Sequence, residues 1–205
     1  MTKARWSSSV VVCWLATGCA ASAPSQIPPA SSPEVRAEDT ELSQALLQQL
    51  TVHVRADGTP VFARHCRNGP VDCEARVKVF AQLIEGAAND HGIDPFLLAA
   101  LAVRESSLNP GAVGAQGEAG ILQLHPRGAG RGMRYVEDEA HREACQARID
   151  ACQGPVVVRA AETLSASIDR CGSVRSALGR YASGRCRADL SHIDRVLETR
   201  DALKR

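Results

Sequence analysis

An uninterrupted apolar run in the middle of the chain constrains the fold more than any other feature of the sequence. Residues 94–110 read DPFLLAALAVRESSLNP, and all eight residues at 96–103 are apolar. Asp94 is a good helix N-cap, and the proline after it is tolerated at the first helical position. Because no face of this helix would be polar, other elements must surround it. The run therefore predicts a buried helix that carries Glu105 near its end and is stopped by Asn109-Pro110.

The rest of the chain also favours helices. Aromatic residues make up only 3% of the sequence, whereas alanine and leucine are plentiful. Apolar residues recur at helical spacing in residues 40–50 and again from Asp72 to Gly92. Between these two segments, Asp57-Gly58 is typical of the turn of a small hairpin. Further helices are predicted around 135–151, 156–170, 173–183 and 189–203, which gives a mainly α fold.

The N-terminus has the features of an export signal. Basic residues precede a short apolar run, and small residues precede Cys19 in the segment ATGC. This segment resembles the lipobox of bacterial lipoproteins, which implies lipidation of Cys19; an ordinary secretory signal cleaved nearby is the alternative. We therefore divide the chain into a signal peptide with a lipobox-like cleavage site (1–19), a disordered Pro/Ser/Ala-rich tether (20–38), an N-terminal extension with the possible hairpin (39–79) and the main helical domain (80–205).

Six cysteines remain after the signal region. An even set in an exported chain predicts disulfides, and we expect local pairs, although six cysteines allow fifteen pairings. The middle pair requires a helix to end before Cys152, which Gly154-Pro155 supports only indirectly. A zinc site is the competing reading, but there is no C-x-x-C motif and no histidine cluster. The expected pairs are Cys66–Cys73, Cys145–Cys152 and Cys171–Cys186.

Glu105 stands out as a candidate general acid. It shares a helix face with Leu98 and Leu101, beside apolar packing. Desolvation and the negative end of the helix dipole both favour the protonated form of such a carboxyl group. A carboxyl group that stays protonated near neutrality can act as a general acid. The alternative is a frayed helix end that leaves Glu105 in water.

A glycine-rich stretch follows Glu105, and part of it resembles a known protein family. Residues 111–132 hold seven glycines and include GAVGAQGEAGILQLHP. Together with Glu105-Ser106, the segment Gly120-Ile121-Leu122-Gln123 resembles the active-site stretch of the soluble lytic transglycosylases. Farther along, ALGRYASG resembles their Ala-Tyr-Asn-Ala-Gly segment, with Tyr181 at the tyrosine. The resemblance covers about residues 80 to 190.

The resemblance implies a lysozyme-like fold and peptidoglycan as the substrate. It implies that Glu105 is the sole catalytic acid and base, that Ser106 and Gln123 orient the acid and hold the sugar, and that Tyr181 forms a hydrogen bond near the glutamate. It implies no metal and no cofactor. Each role has an alternative: Ser106 caps the loop, Gln123 is an exposed polar residue, and Tyr181 belongs to the core.

The chain departs from the family pattern at three positions. Gly114 stands at a common serine, His125 at a frequent methionine, and Ala182 at the motif asparagine. These departures affect substrate contact more than chemistry. Glu118 is the next carboxylate along the chain after Glu105. It lies in a position that varies in the family, and it is as readily solvated as functional.

The resemblance implies cleavage between N-acetylmuramic acid and N-acetylglucosamine with formation of a 1,6-anhydro sugar. A lysozyme-type hydrolase and a non-catalytic peptidoglycan-binding protein are the alternatives. The formal charge of +1 gives no electrostatic case for nucleic acid. Ala20 after Cys19 resembles lipoproteins of the outer membrane, so we expect a periplasmic protein with a lipid anchor in that membrane.

Overall fold

The computed structural model describes residues 39–67, 72–145 and 148–205. The predicted signal peptide, the predicted lipidation site at Cys19 and the predicted tether all lie outside these residues. The described chain is mainly helical, and none of its helices is both long and apolar enough to cross a bilayer. The elements in chain order are α1 (Glu41–Leu50), β1 (Thr51–Val54), β2 (Pro60–Phe62), α2 (Arg64–Arg67), α3 (Cys73–Asp90), α4 (Pro95–Ser106), α5 (Arg134–Glu137), α6 (Glu139–Ala144), α7 (Ile149–Cys171), α8 (Val174–Ser183) and α9 (Ser191–Leu203).

Helix α4 is the buried helix that the apolar run predicts. Its N-cap is Asp94, whose Oδ1 accepts the backbone N–H of Phe96 at 3.0 Å, and proline occupies the first turn. Every residue from Leu97 to Val103 is buried, because α1, α3 and α9 pack around the helix. The helix ends at Ser106, before the Asn109-Pro110 stop that the sequence predicts.

The segment before α4 shares the same core. Leu42, Leu46 and Leu50 of α1 are buried and pack with α3. The antiparallel hairpin of β1 and β2 turns at Asp57-Gly58, as predicted, with Gly58 at a φ of +84°. The predicted division between residues 79 and 80 falls inside α3, so the extension and the main domain have a helix in common.

The three disulfides have the pairing expected from the sequence. The Cα atoms of Cys66 and Cys73 are 5.3 Å apart, those of Cys145 and Cys152 are 5.8 Å apart, and those of Cys171 and Cys186 are 5.6 Å apart. All three separations lie within the range that a disulfide can bridge.

The prediction of one helix over 135–151 is wrong. The first part of this predicted helix is interrupted at Asp138, between α5 and α6. The Asp138 carboxylate accepts the N–H of His141 and so caps α6 as a new helix. Cys145 is the C-cap of α6, and α7 begins at Ile149. Gly154-Pro155 therefore marks no break: Pro155 lies inside α7. Burial along the rest of α7 outweighs the backbone hydrogen bond that proline removes.

Helix α9 runs antiparallel to α4 and packs along it. Lys204, at the C-cap of α9, donates to Oδ2 of Asp94 at 2.6 Å. The first turn of α9 consequently lies beside the last turn of α4, which is where Glu105 is found.

Candidate functional site

The last turn of α4 holds Glu105 in a partly buried position. Its side chain is 19% exposed. The two residues after the helix, Ser107 and Leu108, both have positive φ values, of 53° and 57°. Left-handed backbone is uncommon for residues other than glycine, and such positions concentrate at functional sites. The chain therefore turns sharply just after Glu105. The buried residues of α4 hold the helix that carries Glu105 in place.

His192, in the first turn of α9, faces this carboxylate. Its Nε2 lies 3.2 Å from Oε1 of Glu105, and the His192 side chain is 25% exposed. Sequence reasoning missed His192, because no local pattern links it to Glu105 and the motif resemblance ends before it. The packing of α4 against α9 creates the contact.

Tyr181 on α8 is the second group beside Glu105. Burial, and secondarily the negative charge of Glu105, raise the pKa of Tyr181 well above its ordinary value. The Tyr181 hydroxyl is therefore neutral in any physiological buffer. It donates to the backbone carbonyl of Leu122 at 2.8 Å. The hydrogen bond predicted for Tyr181 near Glu105 is therefore made to the backbone of the turn at residues 120–123.

Three side chains connect the turn at residues 120–123 to the helices. Ser106 Oγ donates to the carbonyl of Ile121 at 2.8 Å, just as Tyr181 donates to Leu122. On the α7 side, Gln153 Oε1 accepts the N–H of Ile121 at 3.3 Å. This use of the Ser106 hydroxyl favours its role as an anchor of the loop; substrate binding by Ser106 stays a prediction.

Gln123 organises the same turn from within. Its φ is +47°, and its Nε2 donates to the carbonyls of Ala112 and Gly120 at 3.1 and 2.9 Å. These bonds occupy the amide nitrogen, while Oε1 points toward Gly114. Oε1 of Gln123 can therefore accept a hydrogen bond from a ligand. The two hydrogen bonds of Nε2 stabilise the left-handed backbone of Gln123.

An open groove of about 600 Å³ runs beside this turn. Gln123 and Tyr181 both line it, whereas Glu105 and Ser106 are not among its lining residues. Glu105 therefore adjoins the groove through Tyr181. The polar and charged side chains along the groove are Gln116, Glu118, Gln123, His125, Arg127, Thr163, Ser167, Arg180, Tyr181 and Ser183.

Two of the family departures shape this groove, together with Glu118. His125 and Ala182 line it, and the His125 ring accepts the N–H of Arg127 at 3.0 Å. Glu118 is half-buried in the groove wall, and its Oε2 accepts the N–H of Gln116 at 3.0 Å. A Cβ atom at Gly114 would collide with that carboxylate. Glu118 thus fills the space beside Gly114, where the family commonly has a serine side chain.

Among the described residues, one group of side chains has the proximity of metal ligands. Potential ligand atoms of His141, Cys145 and Cys152 lie within 4.8 Å of one another. Both sulfurs belong to the same disulfide, so neither offers a thiolate.

The structure thus describes a mainly helical domain with a half-buried carboxyl group at the edge of a polar groove. The model of the transglycosylase SLT domain family matches residues 82–192, from within α3 to the start of α9. This match spans more than half of the chain, which therefore belongs to that family. No curated protein and no solved structure gives a significant match.

Proposed function

We propose that this protein is a lytic transglycosylase of peptidoglycan in which Glu105 acts first as a general acid and then as a general base. Membership of the SLT family supports a transglycosylase-type function on peptidoglycan. The observation that carries the residue assignment is the placement of Glu105: 19% exposed, at the end of a buried helix, and in electrostatic contact with a tyrosine that lines the groove.

One carboxyl group suffices for this reaction because the substrate supplies its own nucleophile. Glu105 donates its proton to the oxygen between N-acetylmuramic acid and N-acetylglucosamine as the bond from that oxygen to C1 breaks. The C6 hydroxyl oxygen of the muramyl residue then attacks C1, and its proton passes to the Glu105 carboxylate. The muramyl product carries a 1,6-anhydro ring, and Glu105 regains its starting state.

The groove supports a glycan as the ligand. Its lining mixes hydroxyl, amide and charged groups, which can form hydrogen bonds with sugar hydroxyl and acetamido groups. Tyr181 lies where the groove adjoins Glu105, and Gln123 lines the same groove. We propose that both contact the bound sugar. For Tyr181 this contact uses the oxygen lone pairs, because the hydroxyl proton is directed to Leu122.

Replacement of Glu105 by glutamine tests the assignment. Glu105→Gln keeps the shape of the side chain but has no proton to donate, and general acid catalysis is worth roughly 100- to 10,000-fold. We expect release of muropeptides from murein to fall at least 100-fold, with binding to murein retained. Glu143→Gln, an exposed site on α6, is the matched control and should keep full activity. Full activity in Glu105→Gln would show that another residue is the acid.

A lysozyme-type hydrolase is the second candidate, and Glu118 is the observation that favours it. Hydrolysis commonly uses two carboxyl groups, and Glu118 lines the groove. Water would then replace the C6 hydroxyl and leave reducing ends. Borohydride treatment separates the two outcomes, because 1,6-anhydro ends are not reduced. If Glu118→Gln lowers activity as much as Glu105→Gln, the hydrolase is the better assignment.

We further propose that the protein is exported to the periplasm and anchored to the outer membrane by a lipid on Cys19. This proposal depends on the sequence of the signal region alone, since residues 1–38 lie outside the described part of the chain.

A further inference from the structure

The contact between His192 and Glu105 joins two ionisable groups in the interface of α4 and α9. Nε2 of His192 is buried and has no well-aligned hydrogen bond with any of the described residues, and Oε1 of Glu105, at 3.2 Å, is the polar atom that it faces. At about 1.5 Å per residue, the stretch from Asp94 to Glu105 matches the stretch from His192 to Lys204 in length. The Lys204–Asp94 contact at the far end has the same register as the contact of His192 with Glu105.

The other ionisable groups near this pair already have partners or face solvent. Tyr181 approaches from α8 and donates to Leu122. On α4, Arg104 is exposed. On α9, Asp194 pairs with Arg175 of α8, and Arg195 contacts Ser191. The imidazole of His192 is therefore the side-chain group that faces Oε1 of Glu105.

We propose that His192 is a positioning residue that holds Oε1 of Glu105 in the last turn of α4. The proposal rests on the catalytic role proposed for Glu105. The contact fixes the orientation of the carboxyl group from which Glu105 gives its proton to the glycosidic oxygen.

Two substitutions of His192 test whether it positions Glu105. His192→Ala loses the N–H group that holds Oε1, and a misplaced acid lowers the rate of the chemical step. We therefore expect His192→Ala to lower kcat at least about tenfold, with little change in KM. His192→Gln keeps an N–H group and should retain most of the native kcat. His53→Gln, on the exposed β1 strand, is the matched control and should leave kcat and KM unchanged.

A measurement without turnover tests the contact directly. At one fixed pH, the NMR resonances of the His192 imidazole in the full-length chain should move in Glu105→Gln, because the group that Nε2 faces has changed. The His53 resonances should not move, and thermal unfolding establishes that each variant is folded.

Unmoved His192 resonances in Glu105→Gln, or a native kcat in folded His192→Ala, overturn the proposal. Failure of the proposed function is distinguishable. If Glu105→Gln stays active while the His192 resonances move, the contact exists but Glu105 is not the acid. If Glu105→Gln is inactive and the His192 resonances stay, only the role of His192 falls.

Discussion

Lys204 and Asp94 join the C-terminal end of α9 to the first turn of α4, at the end of the helix pair that lies opposite Glu105 and His192. The two oxygens of Asp94 have different partners: Oδ1 accepts the N–H of Phe96, and Oδ2 accepts the Lys204 ammonium at 2.6 Å. One side chain therefore both caps the buried helix and pins α9 to it. The same antiparallel register places His192 beside Glu105 at the other end of the helix pair.

Two substitutions at Asp94 separate these contributions to stability. Asp94→Asn keeps an oxygen for the cap but removes the charge that binds Lys204. Because exposed ion pairs contribute little, we expect a loss of less than about 1 kcal/mol in the free energy of unfolding. Asp94→Ala also removes the cap, which costs about 1 kcal/mol more. Urea unfolding measures both, and equal losses in the two variants would mean that the cap contributes nothing.

The raised pKa of Tyr181 predicts a loss of stability at alkaline pH. A tyrosine whose pKa is higher in the folded than in the unfolded chain binds its proton more tightly when folded. Its contribution is complete below the unfolded value of about 10 and is lost as the pH rises above it. We expect the free energy of unfolding to fall with a steeper slope above pH 10 in the native protein than in Tyr181→Phe, by up to about 1.4 kcal/mol per pH unit.

Tyr135 is the matched control for this measurement. Burial also raises its pKa, and its hydroxyl donates to the carbonyl of Pro110. However, Glu105 is not a cause of that shift. Adding Glu105→Gln should therefore reduce the alkaline effect of Tyr181 and leave that of Tyr135 alone. Identical alkaline slopes for the native protein and Tyr181→Phe would contradict the shift at Tyr181.

The proposed lipid anchor on Cys19 can be tested by substitution, although Cys19 lies outside the described residues. Replacement of Cys19 by alanine removes the thiol that would be lipidated. We expect Cys19→Ala to move the protein from the membrane fraction to the soluble fraction. Murein digestion by the purified variant should be unchanged, because α1 to α9 bury their own core. Membrane association that persists in Cys19→Ala would exclude Cys19 as the anchor.

Local sequence signals predicted the elements that carry the site, and long-range packing decided the rest. The cap at Asp94, the apolar run of α4 and the turn at Asp57-Gly58 are local features, and the structure has all three. Pro155 failed as a helix-end signal because the burial of Val156, Val157 and the apolar residues after them keeps α7 intact. Local propensity is a weak guide wherever tertiary contacts oppose it.

In the candidate site, too, the sequence indicates the residues, whereas packing determines their contacts. Its motifs located Glu105, Ser106, Gln123 and Tyr181, and the match of residues 82–192 to the SLT family confirms the family. The partners of these side chains depend on packing: the hydroxyls of Ser106 and Tyr181 both bind backbone carbonyls of one turn. The contact of His192 with Glu105 requires the antiparallel register of α4 and α9, which no segment of the sequence encodes by itself.

The last prediction concerns Gly114, because Glu118 occupies the space that a side chain at position 114 would need. A serine at this position, as is common in the family, would collide with the Glu118 carboxylate. That carboxylate ends a flexible side chain, so it can swing away, but it then loses the N–H of Gln116. We expect Gly114→Ser to lower the free energy of unfolding by about 1 kcal/mol, the net contribution of one hydrogen bond. Because Glu118 lines the groove, the KM for murein fragments should change more than kcat.

A double-mutant cycle assigns this effect to Glu118. In a Glu118→Ala background the carboxylate is absent, so Gly114→Ser should cost little, and the two substitutions should be coupled by at least about 0.5 kcal/mol. Gly111→Ser is the control: its φ is not in the left-handed region, and the nearest atom to a Cβ there, Asn109 Oδ1, is 3.6 Å away. We expect Gly111→Ser to be neutral within about 0.5 kcal/mol. Additive effects of Gly114→Ser and Glu118→Ala would mean that Glu118 does not occupy the space beside Gly114 in solution.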